Sequence, residues 1–379
     1  MKYKYLLLVL CWVLHSFEHL HAQVRFSSAT KISVLTCQPG NELYSLFGHT
    51  AIRLKDTTQL LDVVFNYGTF DFNDPQFYTK FVQGRLPYFV TADDYANFIQ
   101  LYQYEQRGIT EQVLNLPDTA AQAIIQGLLI NLQPPNNTYA YHFLYDNCTT
   151  RILRWVKTGQ PLFITKHTPI VPPNTSFRNL LHKYLDRANH PWEKLGIDFL
   201  LGLPCDALVS VEQSMFLPEM LQKGLATSKP NLLAKEQILL RYNTTIATET
   251  WLSSPIFILG FVALVWLVLA RMASPKIRKV LDASLFTIVG LAGALLVFMW
   301  LGTNHDTCKY NFNLLWANPL FLLWWFSNKT RRFSSIALSV VLMLTLAGWW
   351  WLPQQMNSGF LPIVVLLLSR SIFYATHPK

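Results

Sequence analysis

The sequence predicts an exported α+β domain followed by an all-α block of about five transmembrane helices. Three features carry that prediction: a short apolar run behind two lysines at the start, a middle of mixed strand and helix patterns, and a C-terminal third of long apolar stretches.

Lys2 and Lys4 precede the apolar run Tyr5 to Leu14, and Ala22 supplies a small residue before Gln23. This is the pattern of a secretory signal peptide over residues 1–22. A run of about ten residues falls short of the ~20 that a spanning helix needs. Export delivers the remaining chain to an oxidising compartment, where Cys37, Cys148, Cys205 and Cys308 read first as paired or inert thiols. Cys37 and Cys205 are candidates to pair with each other.

Residues 23–250 alternate between strand and helix patterns. Ile32 to Leu35 and Thr50 to Leu54 read as strands, and Leu61 to Tyr67 as the return arm of a hairpin turning near Asp56 to Gln59. Tyr95 to Arg107 and Thr119 to Leu132 read as helices with apolar faces. Pro134, Pro135, Asn136 and Asn137 then break the chain. Asp146 and Asn147 offer capping side chains to a helix from Cys148 to Val156, and Pro161 to Pro173 reads as a long loop.

Residues 251–379 form the membrane block. Its apolar stretches run from Trp251 to Ala270, Leu281 to Leu301, Phe312 to Phe326, Ile336 to Leu352 and Phe360 to Tyr374, each near spanning length. The third is short and holds Asn318 and Pro319, which marks it as a candidate for a broken or re-entrant segment. Lys and Arg follow the first stretch (Arg271 to Lys279), follow the third (Lys329 to Arg332) and end the chain, so these regions are cytoplasmic. Residues 302–311, residues 353–358 and the whole N-terminal domain then face outward, as the signal peptide independently requires.

After Pro255 there are ten Lys and Arg against two acids, which accounts for eight of the net +9. The exported half is nearly neutral, so a nucleic-acid partner, which needs a basic face on a folded domain, has no support.

Two residues carry the strongest chemical signal. Cys148, at the first turn of its helix, meets the positive end of the macrodipole and free N–H groups, which favour a thiolate and can hold an oxyanion. His49, at a strand start after Gly48, is a suitable base for that thiol. Folding the hairpin about Thr57 sets Asn66 opposite His49, where its amide can orient the ring. Taken singly, a buried Cys is usually a small hydrophobe and a lone His a satisfied polar group. The sequence has no His/Cys cluster at metal-ligand spacing, no phosphate loop and no G-x-S-x-G elbow, so neither a metal nor an organic cofactor is expected.

The runs Pro39 to Arg53, Phe65 to Phe72 and Asp146 to Arg151 resemble the Lnb N-terminal periplasmic domain family, and Asn304-His305-Asp306 with Asn311 to Leu320 resembles its membrane half. The resemblance implies a permuted papain-like (NlpC-like) fold and a lipoprotein N-acyltransferase, with Cys148 as nucleophile and His49 as base. It implies a phospholipid as acyl donor and a lipoprotein as acceptor. Asn147, His305 and Asp306 are the candidate substrate contacts; for His305 and Asp306 the plain reading is a solvated outward loop. Two rival functions remain open on these residues: a cysteine peptidase or amidase acting on peptidoglycan, and a membrane scaffold in which Cys148 is structural.

Overall fold

The computed structural model describes residues 26–159, 170–228, 231–242 and 251–377. The signal-peptide segment, residues 1–22, lies outside the described residues, as does most of the expected loop from Pro161 to Pro173.

The N-terminal domain is built on a seven-stranded antiparallel sheet. Its strands are β1 (Lys31–Cys37), β2 (His49–Asp56), β3 (Leu61–Thr69), β4 (Pro87–Asp94), β5 (Ile109–Leu114), β6 (Thr138–Ala140) and β7 (Leu233–Leu240), in the spatial order β6-β4-β3-β2-β1-β5-β7. The expected strands and helices are present with small boundary shifts. Four strands, β4 to β7, were not anticipated; β7 returns from far along the chain to pair with β5 at one sheet edge.

Both faces of the sheet are covered. Ile52, Leu54, Phe65 and Tyr67 pack against helices Asp118–Asn131, Cys148–Gly159 and Pro218–Ala226, whereas Leu35, Ala51 and Val64 pack against Phe98 and Tyr102 of helix Tyr95–Tyr104. Strand alternation, which sends successive side chains to opposite faces, divides the core in this way. Cys37 lies in the second of these clusters and Cys205 in a separate helical cluster with Phe177 and Phe216, so the candidate pairing is not made and both thiols are free.

Of the about five transmembrane helices expected, four stand among the described residues as helical segments long and apolar enough to span, Pro255–Met272, Pro275–Leu301, Asn328–Gly348 and Ser358–Thr376. The third apolar stretch is instead two short 3-10 pieces, Phe312–Leu315 and Pro319–Trp325. Pro319 has no N–H to donate, and Asn318 turns its side chain to the Leu320 N–H and the Leu314 carbonyl. Irregular backbone at this depth must be shielded by protein. Glycines provide the shield: a Cβ on Gly293 would lie 2.3 Å from the Ala317 carbonyl oxygen, and one on Gly290 2.8 Å from Leu322.

The two halves interlock. Asn311 and Asn313 donate to the carbonyls of Asp198, Phe199 and Leu200, Gln354 donates to Leu201 O, and Gly202 N–H donates to Thr307 O. Residues 302–311 and 353–358 thus lie on the N-terminal domain's side of the block, the side that the basic residues assign to them.

Candidate active site

The hairpin places the histidine. Gly48, at φ +79°, directs the chain into β2, and a Cβ there would come within 2.6 Å of the Cys37 carbonyl oxygen, so only glycine fits. His49 pairs with Cys37 in the β1–β2 ladder. The β2–β3 register pairs Ala51 with Asn66, two residues away from the expected alignment of His49 with Asn66. The turn causes the shift: Asp56 Oδ1 accepts the N–H groups of Thr58 and Gln59, and Leu60 takes a positive φ, which lengthens the reversal. A two-residue shift preserves the face of every side chain, and a diagonal neighbour stays within reach. His49 Nε2 lies 3.1 Å from Asn66 Oδ1.

A helix start places the cysteine. Asn147 accepts the Thr150 N–H, and Thr150 Oγ accepts the Asn147 N–H, a reciprocal cap that begins the helix at Cys148. The Asn147 amide donates to the carbonyls of Phe143 and Phe216, and the side chain is buried. Its polar groups are thus committed to the scaffold, in place of the expected substrate contact. Thr149 Oγ meets Thr50 Oγ at 3.1 Å and fastens the helix to β2 beside His49. At the end of β3 the ladder is irregular between Tyr67 and Thr69, and Gly68, at φ +92°, faces Cys148 and Tyr141.

Cys148 is half-buried, and burial opposes its thiolate. The charge and hydrogen bond of His49, the Thr50 N–H and the Thr149 hydroxyl outweigh that and bring the thiol down to about 7. Burial likewise opposes the imidazolium, yet Cys148 and Asn66 raise the His49 pKa above its ordinary value. The pair favours thiolate and imidazolium together, the state of an activated nucleophile with a proton ready for a leaving group. By contrast, burial pushes Cys37 and Cys205 up to about 12, where they are inert.

Sequence reasoning missed Asp93. Its carboxylate accepts from Asn66 Nδ2 at 2.8 Å and extends the line from Cys148 through His49 and Asn66 to the surface. The strand signal in Pro87–Asp94 is weak, and β4 was needed to find it.

His305 and Asp306 do not join this group. His305 Nε2 donates to the Phe81 carbonyl at 3.0 Å, and Asp306 pairs with Lys309. Their loop lies near His142, whose protonated form the Asp306 charge favours and His305 opposes. Two arginines of the resembling runs are structural: Arg53 is buried between Asp62 and Glu111, and Arg151 pairs with Asp146 over the Tyr139 ring. Among the described residues no group of three or more His, Cys, Asp or Glu is placed to hold a metal ion.

No curated protein and no solved structure matches the chain. Two family models do. The Lnb N-terminal periplasmic domain matches residues 16–183, and the Lnb transmembrane domain matches residues 247–379. With both halves matched in order, the chain belongs to the Lnb family, and it is a multi-pass membrane protein whose N-terminal domain stands on the periplasmic side.

Proposed function

We propose that the protein is a thiol acyltransferase that moves an acyl chain from a phospholipid to the N-terminal amine of a diacylglyceryl lipoprotein. The observation that supports it best is the Cys148–His49–Asn66 line, on a domain that the outward loops of the membrane block hold at the bilayer. In this reading residues 1–22 are a signal peptide, 23–250 a permuted papain-like catalytic domain and 251–379 the transmembrane domain.

The Cys148 thiolate attacks an ester carbonyl of the phospholipid, and N–H groups of the helix start stabilise the oxyanion. The carbon–oxygen bond breaks, His49 gives its proton to the departing lysophospholipid oxygen, and a thioester remains. The acceptor's α-amine then attacks the thioester while neutral His49 takes its proton. The carbon–sulfur bond breaks, an amide forms, and the thiolate–imidazolium pair is restored. Asn66 orients His49, and Asp93 orients Asn66.

Incubation of wild-type protein with phospholipid and no acceptor tests the first half: Cys148 gains the mass of one acyl group, and neutral hydroxylamine discharges it. Lipoprotein N-termini from a Cys148→Ala strain lacking any redundant enzyme test the second half, with loss of the N-linked chain expected. Unchanged lipoprotein acylation overturns the proposal. Altered muropeptides without a lipid adduct point to peptidoglycan hydrolysis.

A further inference from the structure

A row of aromatic rings connects the membrane-side loop to the nucleophile. Phe81 and Phe77 stack at 6.1 Å, Phe77 and Phe70 at 5.8 Å, Phe70 meets Tyr88 at 5.2 Å, and Tyr88 stacks on Tyr141 at 4.3 Å. Tyr141 brings the row to the site: a Cβ on Gly68 would lie 3.8 Å from its ring and 3.7 Å from Cys148 Cβ. The far end of the row is open to solvent. Phe72, Tyr78 and Phe81 are 70%, 81% and 50% exposed, an apolar display that water disfavours and that marks a contact surface.

The way this segment is held shows what covers it. Asn304 N–H donates to Gln83 O at 2.9 Å, and His305 donates to Phe81 O. A Cβ on Gly84, at φ +66°, would meet Asn304 and His305 at 3.2–3.3 Å, so the two backbones lie close together. Asn304 and His305 follow directly on the spanning helix that ends at Leu301. The exposed rings therefore stand at the outer headgroup level, where aromatic side chains are favoured.

We propose that residues 70–82 enter the interface of the outer leaflet, and that the rings from Phe81 to Tyr141 form the track along which one fatty acyl chain of a membrane phospholipid lies, its ester at Cys148. The occupant is a lipid of the protein's own bilayer. The idea rests on the acyl-transfer reading, and its test separates the two. His305 acquires a role here as the clamp that fixes the track to the membrane block.

The binding test uses full-length Cys148→Ala protein in nanodiscs containing a phosphatidylethanolamine with a diazirine in one acyl chain. Photolysis and peptide mapping should place label within residues 70–88 and 139–145, and label confined to the spanning helices overturns the track. Because no chemistry is needed, this result stands apart from the acyl-transfer proposal.

A second measurement uses Phe72→Asp/Tyr78→Asp in wild-type background. Acylation of Cys148 by bilayer phospholipid should fall by about tenfold or more, since the exposed rings supply apolar area that charges cannot bury. Its reaction with soluble p-nitrophenyl acetate should be unchanged. An equal fall with both substrates would make the rings mere support for the nucleophile and would overturn the track, as would no fall with the bilayer substrate.

Discussion

Two polar clusters built on the N-terminal domain share His, Asn and Asp and have opposite characters. In one, Cys148, His49, Asn66 and Asp93 run from a half-buried thiol to an exposed carboxylate. In the other, fully buried Arg178 binds Asp198 at 2.7 Å and Asp206 at 2.9 Å, while His182 and Asn357 each reach Asp198 at 2.8 Å. Arg178 also donates to the carbonyls of Leu201 and Gly202. Arg178 and Asp198 are held on several sides by protein, and through Asn357 the cluster bolts the periplasmic helices to residues 353–358. A histidine beside an aspartate is thus a staple where its partners are other protein groups. In the proposed acyl-transfer reading, a histidine beside a thiol becomes a reactive pair where the thiol can still be reached.

The sharpest break in that contrast is expected from His49→Ala. Loss of a general base costs on the order of 10²- to 10⁴-fold in rate, measured as acyl-enzyme formation, with folding retained. The same variant should alter the thiol itself. In the wild type, alkylation by iodoacetamide rises through pH of about 7, because the lowered pKa leaves thiolate present above that point. Without the imidazolium the midpoint moves up towards the ordinary 9.0. An unmoved midpoint would show that His49 does not sustain the thiolate.

Asp198→Ala tests the staple. Removing one member of a buried ion pair strands its partner and costs about 3–5 kcal/mol, read as a large drop in thermal unfolding temperature in detergent. Its effect on Cys148 alkylation in the protein that remains folded should be small, whereas a variant as stable as wild type would contradict the bolt.

Asn66→Ala sharpens the roles within the reactive line. One net hydrogen bond is worth about 1 kcal/mol, so turnover should fall about five- to tenfold while the base remains. A loss as complete as that of His49→Ala would assign Asn66 a direct part in the chemistry. The smallest effect belongs to Asp93→Ala, whose exposed carboxylate water replaces in part; about twofold is expected in the same assay.

The sequence alone determined the compartment and the orientation and picked out Cys148 and His49, which the fold sets side by side, and the reason is locality. A basic flank beside an apolar stretch, a glycine before a strand and a capping asparagine before a helix act within a few residues, so their spacing is legible. Even Asn66 was found this way, since alternation keeps its face when the register moves by two. Tertiary structure decided what distance in sequence conceals. Asp93 needed β4, the ring row needed β4, β6 and the outward loop together, and the Arg178 staple needed residues 353–358. Nor could composition show that Phe312 to Trp325 folds as 3-10 turns, against which Gly290 and Gly293 of the neighbouring helix allow close packing. These features are contacts between remote segments, and a chain read in one dimension holds the partners without their adjacency.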